Sequence, residues 1–297
     1  MKADGLRSFI RFTMQKNELA EKIKLSVEDL NVPLWFPNLT GYLAETGWQS
    51  LGNEFGLTPT DYGTARILSV RVNTFLPGVL LNSDFNPIKI ELLPEEITKY
   101  YSDSQIEFYN AAELSNSTVL ECLLEAIELT KTISHLSESV FTLVKSLHLI
   151  KIGDDNYDIS FSKPQIPFSI FVSVPKNRIK SDFLRVAEAI IHEAMHLQLS
   201  LIEKVVPVIN SNEQEFYSPW KGEYRNSIGI LHALYVFKVI GSFYENLRLK
   251  RCLPSVDLNF IKNRQNEISL QVKSINEFSR STDLTTFGLL LTNRLMN

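Results

Sequence analysis

The sequence predicts a mainly helical α+β fold, with a small antiparallel sheet or hairpin next to one metal-binding helix. Three observations lead there. Apolar residues recur at intervals of three and four over long stretches, as at Leu120, Leu123, Leu124, Ile127, Ile133, Leu136 and Val140. Alternation at period two is confined to shorter runs, at 67–81, 88–92, 157–162 and 167–174. Next to the last of these runs stands Val186-Ala187-Glu188-Ala189-Ile190-Ile191-His192-Glu193-Ala194-Met195-His196-Leu197, an apolar helical stretch carrying His-Glu-x-x-His.

Taken in order, residues 6–30 place Phe9, Ile10, Phe12, Leu19, Ile23 and Leu25 at helical spacing and read as one or two helices. Residues 31–38 are rich in turn formers and aromatics, and 41–56 read as a short irregular connection anchored by Trp48. The alternating runs at 67–81 and 88–92 give two or three strands, and Leu93-Pro94-Glu95-Glu96 resembles a helix start. No linker stands out; if the chain has a domain boundary it falls near 95–115, between a mixed α/β region, 1–105, that need not be independent, and a mainly helical catalytic domain, 106–297. Residues 117–149 read as one long or two consecutive buried helices. His135 and His148 fall in that stretch without partners at metal spacing, and read as surface or core histidines. The runs at 157–162 and 167–174 form a hairpin, and an edge strand in that position can hold an extended peptide by backbone hydrogen bonds.

Composition narrows the function. With 297 residues, 44% of them hydrophobic, the chain can build an ordinary core. A net charge of −4, with Lys and Arg spread along the chain, leaves no nucleic-acid footprint. Two cysteines, Cys122 and Cys252, are too few for a disulfide framework or a thiolate metal site, so a reducing cytoplasm is the expected home. No apolar leader follows Met1 and no run is expected to reach membrane-span length, so no membrane partner is expected.

The chemistry rests on the His-Glu-x-x-His helix, expected to start at Ser181-Asp182 and to stop before Pro207. Imidazoles four residues apart stand one turn above each other on one face, where both reach one ion. Glu188 and Glu203 lie near the same stripe, but seven residues beyond His196 is about 10 Å along the axis, too far for an easy ligand. Candidates for a third ligand are Glu213, Glu215, Glu223 and His232. Of these, His232 sits in the apolar helical run 227–237, where an imidazole needs a partner or a metal. Arg225 precedes it by seven residues. If the helix has begun by then, the guanidinium projects from nearly the same face and can clamp a carboxylate in bidentate fashion.

His192-Glu193-Ala194-Met195-His196, together with Tyr217-Ser218-Pro219-Trp220-Lys221, Arg225 and Gly229-Ile230-Leu231-His232-Ala233-Leu234-Tyr235, resembles the HExxH-type 2-oxoglutarate-dependent peptide β-hydroxylases. These are iron enzymes that modify ribosomally made precursor peptides. The likeness covers roughly the second half of the chain. Lys221 stands where Arg is expected and Asn226 where Pro is frequent. The resemblance implies Fe(II) bound by His192, His196 and His232, with 2-oxoglutarate and O2 as co-substrates and a precursor peptide as substrate. It gives the distal carboxylate of 2-oxoglutarate to Arg225. Glu193 is then either a group behind the ligands or a base. The competing expectation is a zinc metallopeptidase, with Glu193 activating water. A metal-free peptide-binding protein is the third.

Overall fold

A helix with one apolar stripe needs a neighbour to cover it, and the longest stripes here set the architecture. The computed structural model describes residues 3–55, 78–81, 88–93, 98, 106–114, 117–151, 159–163, 166–177, 180–250 and 253–297. Helices α1 (Ala3–Glu28) and α2 (Pro37–Phe55) are followed by strands β1 (Gly78–Leu81) and β2 (Ile88–Glu91). Helices α3 (Ala111–Leu114), α4 (Ser117–Lys131) and α5 (Leu136–Leu143) lead into β3 (Ser146–Lys151), β4 (Ser160–Lys163) and β5 (Ile166–Val174). Helix α6 (Asp182–Val205) carries the motif. The hairpin β6 (Glu215–Ser218) and β7 (Glu223–Asn226) then leads into α7 (Ser227–Lys250), α8 (Ser255–Ser274), a 3-10 turn (Asn276–Arg280) and α9 (Thr286–Met296). The fold is mainly helical α+β, as the periodicities predict.

Two expectations are corrected. The expected irregular connection from Gly41 onward is helical and belongs to α2, which buries Leu39, Leu43 and Ala44. Pro37 opens that helix, where its fixed φ fits and its missing N–H has no partner to lose. Gly47 weakens the helical signal for a packing reason. A Cβ there would stand 2.8 Å from both the Leu201 and Phe168 side chains, so the close approach of α2 needs a glycine. The second correction is β3, expected as the end of a helix. Its run Ser146-Leu147-His148-Leu149-Ile150 is buried on both faces, and its short polar–apolar alternation is masked because Leu143, Val144 and Leu147 continue the three-and-four spacing of the preceding helix. The calls on Trp48's side chain, on most of 67–81, on 94–96, 153–156 and on Cys252 lie outside the described residues.

The larger sheet has the order β1-β2-β3-β5-β4, with β2, β3 and β5 parallel and antiparallel strands at either end. The expected hairpin is present as β4 against β5. Register assigns the faces: Ile90 pairs with Leu147, Leu147 with Ile170, and Ser160 with Val172. Ile88, Ile90, Leu147, Leu149, Ile170 and Val172 enter the main core, beneath α6. The alternate residues, Glu91, Ser146, His148, Ser169 and Phe171, point to the opposite side and are also buried. Because β2 pairs with β3, and α1 and α2 pack on α6, the stretches 1–105 and 106–297 share one sheet and one core.

Helix α6 begins at the predicted residue. Ser181 precedes it at φ 67° without capping it, and its hydroxyl instead donates to Asp257 Oδ1 of α8 at 2.6 Å. Helix α7 corrects the expectation that no run reaches membrane-span length, since its 24 residues are long and apolar enough by composition. It is nonetheless mostly buried, packed against α6 and α8. The backs of α6 and α7 are pinned by the loop before α2 and by the first turn of α2. Gln198 Nε2 donates to Trp35 O and Thr40 Oγ1, both at 3.0 Å, and the Tyr235 hydroxyl donates to Leu34 O at 2.9 Å. Arg294 of α9 fastens the same region by donating to the carbonyls of Ser26, Val27 and Val32.

Candidate metal centre

On α6 the i, i+4 spacing does what the sequence predicts: Nε2 of His192 and Nε2 of His196 stand 3.1 Å apart. Two nitrogens each about 2.1 Å from one ion and at roughly a right angle would be about 3 Å apart, so this pair fits two adjacent coordination positions. His232, from α7, also arrives. Its Nδ1 is 3.1 Å from Nδ1 of His196, and the two rings stack with centroids 5.3 Å apart and planes at 17°. His196 therefore shows a different nitrogen to each neighbour, and the three rings form a row. Among the described residues no group of three or more His, Cys, Asp or Glu side chains closes on a single ion position.

The electrostatics are compatible with ligand chemistry. Burial, followed by the cations Lys221 and Arg264, holds His192 down to about 4. Burial, then the neighbouring imidazoles and Lys221, holds His196 well below the ordinary imidazole range. Both rings are neutral at pH 7 and keep a lone pair for a metal. The site is not sealed, because a quarter of the His192 side chain (25%) is open to solvent.

Glu193 points toward the sheet. Register places Ser160 and Ser162 on the face of β4 that meets α6, and Ser160 Oγ donates to Glu193 Oε1 at 2.8 Å. Burial pushes the Glu193 carboxyl up to about 7, against the hydrogen bonds from Ser160 and Ser162 that favour its charge. The same oxygen lies 3.9 Å from His192 Nε2.

Arg225 is not on the helix. It belongs to β7, paired with Phe216, and its guanidinium meets Glu223 Oε1 at 3.0 Å with 44% of the side chain exposed. Its stem nevertheless turns back over α7. A Cβ on Gly229 would lie 3.4 Å from Arg225 Nε, an ordinary contact distance, so the arginine stem passes beside the turn of α7 that precedes His232. Of the other acidic candidates, Glu213, Glu215 and Glu223 are exposed.

Spacing places Glu188 and Glu203 near the histidine stripe, but the partners that hold them, and the contacts of Trp220 and Lys221, are not evident from local pattern. Glu188 is held by Arg264 of α8, at 2.6 Å from Nη2, and accepts from the Tyr244 hydroxyl at 2.6 Å. Glu203 accepts from His232 Nε2 at 3.0 Å. Trp220 stacks on Phe237 with centroids 5.2 Å apart, and Phe237 lies edge-on to His192 at 5.4 Å, forming an aromatic wall. Lys221, at the hairpin turn, adds positive field at His192, His196 and Glu193. Spacing is the available signal for both carboxylates, since Glu188 stands one turn before His192 and Glu203 two turns beyond His196. Compared with known proteins, the chain matches no family model and no curated relative.

Proposed function

We propose that this protein is an Fe(II)- and 2-oxoglutarate-dependent oxygenase that hydroxylates a β-carbon in a ribosomally made precursor peptide. The observation that carries this reading is the meeting of His192, His196 and His232 from two helices, with Arg225 laid over Gly229 one turn before His232. His192 and His196 would hold the metal through Nε2, as neutral nitrogen donors that leave positions open to co-substrate and O2, and His232, whose Nδ1 faces Nδ1 of His196 here, would have to turn its ring to supply the third. When bound, the iron couples oxidation to decarboxylation: peptide C–H, 2-oxoglutarate and O2 become peptide C–OH, succinate and CO2. Arg225 would exchange Glu223 for the distal carboxylate of 2-oxoglutarate, a pairing its planar fork favours. The Trp220–Phe237 wall keeps water from one side of the histidines. Ser160 and Ser162 hold Glu193 away from the peptide, as a group behind the ligands.

One observation favours a zinc metallopeptidase as the second reading. Glu193 Oε1 is 3.9 Å from His192 Nε2 and has a carboxyl near 7, which suits a base taking a proton from bound water. Anaerobic titration with Fe(II) and then 2-oxoglutarate separates the two. The oxygenase gives a visible charge-transfer band with stoichiometric 2-oxoglutarate. Absence of the band, with peptide cleavage by the zinc form, sinks the proposal. Glu193→Gln should cost a peptidase about 10²–10⁴-fold in rate but leave a hydroxylase within roughly tenfold of wild type.

A further inference from the structure

We infer that Asp283 is a positioning residue of the candidate site: its carboxylate closes the base of the β6–β7 hairpin and so holds Trp220, at the hairpin's tip, on Phe237 beside His192. This role is independent of which metal or reaction the histidines serve. Asp283 lies between the 3-10 turn and α9 and is 2% exposed. One oxygen, Oδ2, accepts from Gln214 N at 3.0 Å and from the Ser227 hydroxyl at 2.6 Å. Gln214 is the residue before β6 and Ser227 the residue after β7, so this single atom ties both stems of the hairpin. Oδ1 accepts from the Ser211 hydroxyl at 2.5 Å, in the loop that leads to the first stem.

A buried carboxylate needs donors on its oxygens, and here they come from both stems and the loop before them, so the charge is satisfied only with the hairpin in place. Neighbouring residues complete the knot: Ser281 Oγ donates to Gln214 Oε1 at 2.6 Å, and Phe278 meets Phe216 of β6 edge-on at 5.2 Å. The tip is a tight turn, in which Gly222, at φ 69°, donates from its N–H to Ser218 O at 2.8 Å. From this turn Trp220 lies on Phe237 with the ring planes at 2°, and Phe237 in turn meets His192. Strands of four residues, at about 3.4 Å each, put the tip roughly 14 Å from the base. A tilt of about 10° at the base therefore moves Trp220 by roughly 2 Å, enough to part the stacked rings. The bland alternative is a staple that fastens the C-terminal segment to α7 and leaves the hairpin tip where it is.

Two probes on the full chain read the tip rather than overall stability. One is the indole N–H resonance of Trp220 in 15N-labelled protein, assigned by its loss in Trp220→Phe. The other is the rate at which diethylpyrocarbonate modifies His192, with the fully buried His148 as internal reference. Asp283→Ala should shift the indole resonance and raise the His192 rate roughly three- to tenfold, with His148 unchanged, as expected when charge-assisted hydrogen bonds that close a local opening are lost. Asp283→Asn, whose amide oxygen still bridges the stems, should stay within about twofold of wild type. If Asp283→Ala does not fold, Ser227→Ala removes one of the two stem bonds and carries the same comparison. An unmoved indole resonance with an unchanged His192 rate overturns the inference. So does a His192 rate that rises only in step with that of His148, because that is general loosening. Neither outcome touches the metal-site reading, and a protein that binds no metal leaves the role of Asp283 standing.

Discussion

Two regions of this protein bury a histidine beside a glutamate, and they differ in what the imidazole nitrogens meet. On the far face of the larger sheet His148 is fully buried, its Nε2 3.7 Å from Glu91 Oε2 and its ring stacked on Phe171 at 4.6 Å. Between α6 and α7, His192, His196 and His232 are also shielded, yet each ring meets another imidazole nitrogen. Burial holds both His148 and His192 down to about 4. Loss of charge therefore does not distinguish a ligand from a core histidine. What distinguishes them is direction: nitrogens that converge on other nitrogens, against nitrogens that meet a sheet and an aromatic ring.

The sharpest break of that comparison is a pair of substitutions. His196→Ala should abolish Co(II) binding, a loss beyond the roughly 10–100-fold that an outer partner costs, whereas His148→Ala should leave it within about twofold. Equal effects, read by metal titration, would mean that the histidine row has no special role. A smaller effect comes from the charges around each region. Glu188 is paired with Arg264 and Tyr244, so Arg264→Met strands a mostly buried carboxylate and should cost about 3 kcal/mol in chemical denaturation. The smallest effect is one of pH. His148 titrates near 4 when folded and near 6.5 when unfolded, so the unfolded chain binds more protons between those values. Its contribution to stability is present above 6.5 and is lost as pH falls toward 4. His148→Phe should flatten the stability profile across that window, measured by denaturation at pH 7 and pH 5.

The same contrast explains what the sequence made legible. The bounds of α6, the hairpin partner of β4 and the arrival of His232 all follow from periodicity and spacing, because each is encoded within a few turns or one alternation. β3 is masked because Leu143, Val144 and Leu147 carry the helical spacing of the preceding helix into it, and α2 because Gly47 serves a contact with Leu201 and Phe168. Arg225 was placed by extending a helical period upstream, but Asn226 Oδ1 accepts from Gly229 N at 3.1 Å, a capping bond that starts α7 at Ser227. The partners of Glu188 and Glu193 come from Arg264 and Ser160, and local pattern carries no information about such distant pairings.

Arg294 carries a consequence for the order in which the protein is made. It holds the carbonyls of Ser26, Val27 and Val32, next to the loop whose Leu34 and Trp35 carbonyls grip Tyr235 and Gln198 on the backs of the two histidine helices. During synthesis the histidines leave the ribosome well before Arg294 does. The brace behind α6 and α7 is therefore completed only once α9 has emerged, about sixty residues after the last of the three histidines.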